Sequence, residues 1–181
     1  MIETQQTVVI NTDIGRAWQY ARNIDKWAAL MPGLQSYTVN DADNSKWVLK
    51  VGVGGLVRTV HVDVHVDKWD GPERALFSYR LEGDPVEGGG SYAASRLGDT
   101  ATEVTLTVRV AGSGPMAPMW EAMGRPLLPQ FARSFAEQLK TEIEKAAGVD
   151  APAKAVPSSG FAMVYRWLRK FLRAPFGMAS R

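Results

Sequence analysis

Residues 116–145 read MAPMWEAMGRPLLPQFARSFAEQLKTEIEK. The spacing predicts a helix laid against everything that precedes it. Phe131, Phe135, Leu139 and Ile143 recur at every fourth position. That puts them on one helical face and aims the face at a partner surface. Lys140, Glu142, Glu144 and Lys145 fall mostly on the other faces, where water is expected. Met116, Met119, Trp120 and Met123 form a second apolar stripe at helical spacing. Pro126 and Pro129 part the two halves. Each removes a backbone donor and crowds the preceding turn, so a break or strong kink is expected between a Met-rich flap and a firmer helix.

Upstream the pattern changes to period two. The clearest case is 56–69, where Val60, Val62, Val64 and Val66 share one face and His61, Asp63, His65 and Asp67 share the other. Similar alternation marks strands over 3–10, 34–40, 46–53, 75–81, 91–97 and 102–110. Turn signals separate them: 41–45, Gly54-Gly55, Asp70-Gly71-Pro72, a glycine-rich loop over 83–90, and Gly98-Asp99. Between the first two strands lie two short helices. One starts after Thr12 or Asp13; the other covers 24–30 with Trp27, Leu30 and Met31 inward and ends at Pro32-Gly33. Strands joined by short turns pair antiparallel, and one apolar face needs one cover. The expected class is α+β, a curved antiparallel sheet of about seven strands wrapped around the long C-terminal helix.

Composition narrows the chemistry. A chain of 181 residues with 45% apolar content can bury a real core. It has no cysteine, hence no disulfide, thiolate metal site or cysteine nucleophile. Residues 1–6 lack the features of a secretory signal, and no apolar run reaches the roughly 18 residues of a membrane-spanning helix. The net charge of +2 is unevenly spread. Residues 151–181 hold six Lys or Arg and no acidic residue, which leaves 15 basic against 19 acidic side chains, or −4, on residues 1–150. A mildly acidic body is a poor nucleic-acid binder; a wholly basic end seeks an anionic surface.

The chain divides on this reading into a body over 1–147, an Ala/Pro/Ser-rich linker over 148–160 and a tail over 161–181. In the tail, Phe161, Val164, Leu168, Phe171 and Leu172 form one helical stripe, with Trp167 at its margin. Arg166, Arg169, Lys170 and Arg173 line the opposite side. A helix of about 13 residues spans roughly 20 Å, too short for a bilayer core of about 30 Å. Its aromatic and basic faces suit the membrane interface, which predicts a peripheral protein on the cytoplasmic face. Docking on a partner protein is the alternative.

Several residues in order carry a family likeness: Ala17-Trp18, Met31-Pro32-Gly33, Val51-Gly52-Val53 before Gly55-Leu56, Pro72, Gly83, Gly88-Gly89-Gly90, Thr102-Glu103-Val104 and Val110-Ala111-Gly112. Their order and spacing resemble the START-like, helix-grip (SRPBCC) superfamily of polyketide cyclases and lipid-transfer proteins. Within it they resemble the CoxG-like family of proteins associated with carbon monoxide dehydrogenase. The resemblance covers residues 3 to 147 and implies an apolar cavity under the long helix. It further implies that a quinone, menaquinone or ubiquinone, is carried there, or that a membrane-linked molybdenum dehydrogenase is recruited.

The cavity wall expected from these patterns comprises Trp27, Leu49, Val60, Phe77, Tyr79, Leu81 and Tyr92 from the body. Met116, Met119, Trp120, Met123, Leu127, Phe131 and Phe135 come from the helix. Ordinary core packing is the competing explanation for each. Tyr79 and Tyr92 are the polar exceptions, since an inward hydroxyl needs a partner and a quinone carbonyl would serve. The His61/Asp63/His65/Asp67 set lies on the polar face, with alternate residues about 7 Å apart, so no metal is expected there. Gly88-Gly89-Gly90 lacks the lysine and helix of a phosphate loop. No nucleophile or acid–base set faces inward. The expectation is a non-enzymatic carrier, with a polyketide cyclase-like enzyme or an assembly and docking factor as alternatives.

Overall fold

Alternation along the strands becomes burial on one face. The computed structural model describes residues 1–53 and 56–149, with backbone alone at Val53 and Leu56. In chain order the elements are β1 (Ile2–Ile10), α1 (Ile14–Ala21), α2 (Ile24–Leu30), β2 (Leu34–Val39), β3 (Asn44–Val53), β4 (Leu56–Asp70), β5 (Arg74–Leu81), β6 (Val86–Arg96), β7 (Thr102–Gly112) and α3 (Ala117–Ala146). The seven strands form one antiparallel sheet in the order β1-β7-β6-β5-β4-β3-β2. Each of β2 to β6 pairs with the next strand in sequence, and β1 pairs with β7. The fold is the helix grip.

Local chemistry fixes the short helices. Asp13 caps α1 by accepting from the Arg16 N–H at 3.0 Å, and Asn23 caps α2 by accepting from Asp25 N–H at 3.1 Å. Gly33 turns the chain with φ near +79°, and a Cβ there would lie 2.3 Å from the Lys50 carbonyl oxygen. The two helices bring Trp18 and Trp27 onto the sheet. Trp18 packs edge-on against Trp69 with centroids 5.9 Å apart, and Trp27 against Trp69 and Phe77 at 5.7 and 5.6 Å. Trp18 lies so close to Gly71 that an added Cβ would sit 2.1 Å from its ring.

Helix α3 lies across β1 and β7. Its buried residues are Ala132, Ala136, Leu139, Ile143 and Glu144, all in the second half. The alanines let the backbones approach, while Leu139 and Ile143 are each 1% exposed. Full burial of such side chains stabilises by roughly 1.5–3 kcal/mol each. That half is the firm grip.

Four expectations are corrected. First, the helix runs unbroken through Pro126 and Pro129. Both prolines are exposed, and the carbonyls they leave without a helical donor belong to Ala122 and Arg125, also exposed. Water can take up both, so no break is forced. Second, Gly88-Gly89-Gly90 is not a loop but lies inside β6. The register sets Tyr79 opposite Gly88 and Phe77 opposite Gly90. A Cβ at Gly88 would stand 2.4 Å from Tyr79 Cζ, and one at Gly90 would stand 2.7 Å from Phe77 Cζ. The glycines make room for two rings that lie across the strand. Third, Glu144 does not face water; it is 4% exposed. It accepts from the Asn11 N–H at 2.9 Å, from Asn11 Nδ2 at 2.7 Å and from Lys140 Nζ at 2.6 Å. Fourth, Met116 precedes α3, and Met116 and Met119 are 49% and 41% exposed. The first turn starts where β7 ends, so little sheet lies beneath it. The Gly54-Gly55 turn, most of the linker and the tail residues Phe161 to Arg173 fall outside the described residues.

Candidate functional site

Between the sheet and α3 lies a cavity of about 230 Å³. Every strand from β3 to β7 contributes to its wall. Leu49, Val60, Phe77, Tyr79, Leu81 and Tyr92 line it from the sheet, and Trp27 and Met31 from the α2 side. From α3 come Trp120, Met123, Leu127, Phe131 and Phe135, joined by Gly124 and Leu128. Met116 and Met119 do not take part, which corrects their placement in the wall. Pattern reading missed Trp47, Leu106, Val108 and Val110 as lining residues. Their inward strand positions were visible; their share in an unfilled space was not.

Among the described residues the lining holds no Asp, Glu, Lys, Arg, His, Ser, Thr, Asn or Gln. Its polar atoms belong to Trp and Tyr. Tyr79 donates its hydroxyl to the Arg109 carbonyl at 2.8 Å, across the gap that Gly88 leaves. Trp27 Nε1 donates to the Ala21 carbonyl at 2.7 Å. Among the described residues Trp47 Nε1 and the Tyr92 hydroxyl have no partner. Burial pushes both phenols well above their ordinary range, so each is neutral near pH 7. At the α3 side Arg58 stacks over the Trp120 ring, 5.1 Å from its centroid, and pairs with Asp84 at 2.8 Å.

Size sets what fits. An engineered apolar cavity of about 150 Å³ holds benzene. The present space therefore takes a compact head group of one or two rings, and is smaller than the roughly 300–1,000 Å³ of drug-sized pockets. None of the α3 residues before Ala132 is buried, so the cover over this space is thin.

A wider hollow of about 760 Å³ lies on the polar face, lined by Asp41, Asn44, Lys46, Asp63, His65 and Arg80 among others. Its charges pair with one another: Lys46 with Asp63 at 3.2 Å and Arg80 with Asp63 at 3.1 Å. Burial works to raise the Asp63 pKa, but these two cations outweigh it and hold the carboxyl below its usual range. His65 Nδ1 is 2.9 Å from Asn44 Oδ1, and His61 is 3.9 Å from Glu82. Among the described residues no group of three or more His, Cys, Asp or Glu is placed to hold a metal ion.

An apolar cavity closed by the long helix of this fold defines a lipophile-binding class of protein. The chain belongs to the family described as polyketide cyclase/dehydrase and lipid transport, whose model matches residues 1–144. Among solved structures it is similar to a conserved protein from Geobacillus kaustophilus, 17% identical over 80% of this chain and 97% of that one, with a TM-score of 0.68. It is similar to the Zhui aromatase/cyclase from Streptomyces sp. R1128, 16% identical over 86% and 99%, TM-score 0.56. A START superfamily protein from Mycobacterium smegmatis is 11% identical over 77% and 98%, TM-score 0.55. At these identities the likeness is one of fold. No curated protein matches the chain.

Proposed function

We propose that this protein carries a lipophilic molecule, a respiratory quinone, with its head group in the cavity under α3. The observation that carries the reading is a 230 Å³ space whose described lining has no carboxylate, imidazole, ammonium or guanidinium group. Such a wall binds an apolar molecule by removing it from water, and supplies no acid–base pair for turnover. The resemblance to the CoxG-like family supports a carbon monoxide dehydrogenase-type molybdenum enzyme as the partner, either recruited or served with quinone. The basic tail over 161–181 supports tethering at the cytoplasmic face of the membrane, where quinones dissolve.

The test is an organic extract of protein purified from membrane-containing cells, read by mass spectrometry beside a Val108→Trp variant that fills the cavity. The expected result is a quinone in the parent extract and its loss from the variant. Extracts free of any lipophile in both proteins would overturn the carrier reading. The cyclase alternative draws on the family description and on the free Tyr92 hydroxyl. Turnover of a polyketide-like substrate, abolished by Tyr92→Phe, would place it first.

A further inference from the structure

Two buried donors in the cavity wall stand apart from their neighbours. Trp47 is 6% exposed and Tyr92 is 2% exposed, both line the cavity, and neither Trp47 Nε1 nor the Tyr92 hydroxyl has a hydrogen-bond partner among the described residues. Three atoms of the same types elsewhere in the fold are paired. Trp27 Nε1 donates to the Ala21 carbonyl, Trp69 Nε1 to Asp43 Oδ1, and the Tyr79 hydroxyl to the Arg109 carbonyl. Leaving a buried donor unmade is costly, and sequences remove such atoms readily where nothing uses them. Phenylalanine would fill either place without the penalty.

We propose that Trp47 and Tyr92 are the polar readers of this cavity, and that its ligand is a neutral apolar molecule bearing a carbonyl oxygen. This rests on the carrier reading of the same cavity and adds the residues that recognise the ligand. An indole N–H can only donate, so the ligand must present an acceptor to Trp47. A neutral phenol donates as well, so one oxygen lone pair satisfies either residue. A carboxylate or phosphate is the wrong acceptor, because the lining contains no Lys, Arg or His to neutralise it. A pure hydrocarbon leaves both donors unmade. Ketone, ester and quinone carbonyls meet the requirement.

Menadione and methylnaphthalene share a ring system and differ in the carbonyls. Their binding to the full chain is compared by calorimetry for the parent, Tyr92→Phe and Trp47→Phe. The parent is expected to bind menadione, and each variant to bind it roughly three- to tenfold more weakly. Methylnaphthalene affinity is expected to stay unchanged or rise. Menadione affinity unmoved in both variants, equal weakening of both ligands, or binding of methylnaphthalene alone by the parent each overturns this inference and leaves the apolar cavity standing. Failure of the parent to bind either ligand overturns the cavity reading as well. The ligand-free Tyr92→Phe protein supplies a further reading and decides the matter if Trp47→Phe does not fold. Its melting temperature should match or exceed the parent's, since a hydroxyl without a partner is removed; a clear drop would reveal a partner and count against the assignment.

Discussion

Glu144 shows how far a single residue can depart from its pattern. Helical spacing assigns it to water, yet Asn11, which follows β1, and Lys140, one turn away, enclose it. Burial works to raise its pKa, but the donors from Lys140 and Asn11 outweigh it, and the carboxyl ends below its ordinary value of 4.5. A lowered folded value means the charged form stabilises the fold. That contribution is complete above pH 4.5 and is lost as pH falls through the folded value. Glu144→Gln keeps the shape and removes the charge. It is expected to lower unfolding free energy at pH 7 by roughly 1–2 kcal/mol and to flatten the acid side of the stability curve. Urea titrations at a series of pH values check both effects; an unchanged acid limb would show that the network is not coupled to folding. Gly88 makes a complementary case, in which the missing side chain is what matters. A Cβ there meets the Arg109 carbonyl oxygen at 2.2 Å and Tyr79 Cζ at 2.4 Å. Gly88→Ala must push the ring off the strand and part the Tyr79–Arg109 hydrogen bond, a destabilisation of roughly 2–4 kcal/mol by denaturant titration. A loss within about 0.5 kcal/mol, the range of ordinary surface changes, would mean the ring moves freely.

At the scale of elements, the strands and short helices were legible because period two and period 3.6 are imposed by burial on one face. The Val60–Val66 alternation survives intact in β4, and Asp13 caps α1 where a cap was expected. What was not legible depended on neighbours that sequence spacing cannot rank. A glycine run reads as a turn unless the register is known to set Phe77 and Tyr79 against it. Prolines read as a break unless they are known to face solvent. The Met stripe has the spacing of a buried face, yet its first two members, Met116 and Met119, stay exposed while Trp120 and Met123 reach the cavity. Tyr79 and Tyr92 look alike in sequence, and only strand register gives the first a carbonyl and leaves the second free. The prolines carry a prediction of their own. In the first half of α3 nothing is fully buried, so backbone hydrogen bonds carry more of its order than packing does. Replacing Pro126 and Pro129 by Ala restores two N–H donors and relieves crowding, against some gain in unfolded-chain freedom. The double variant is expected to be more stable by roughly 1–3 kcal/mol, with slower amide exchange over 117–131 and slower release of a bound lipophile. Unchanged exchange there would show that the prolines do not loosen the cover.

The whole molecule joins two parts of opposite charge. Residues 1–150 carry −4 and residues 151–181 carry +6. On the proposed membrane tether, charge alone would draw the tail to an anionic bilayer and repel the body. On the proposed tether, each cation near such a surface would contribute about 1 kcal/mol, and burial of Phe161, Val164, Leu168, Phe171 and Leu172 would add a part that salt does not screen. The two parts separate by experiment. Full-length protein is expected to sediment with vesicles containing phosphatidylserine and to bind neutral phosphatidylcholine vesicles weakly. Raising salt from about 0.1 to 1 M shortens the screening length from about 10 to 3 Å and should strip most of the anionic preference. The residual binding should vanish in Leu168→Glu/Phe171→Glu, which breaks the stripe while leaving every cation in place. Removal of 161–181 should abolish sedimentation without moving the melting temperature of the body, because the core residues of the grip all lie before residue 147. Vesicle binding that survives the truncation would mean the body itself holds the membrane, and would turn attention from the tail to the exposed Met116, Met119 and Val57.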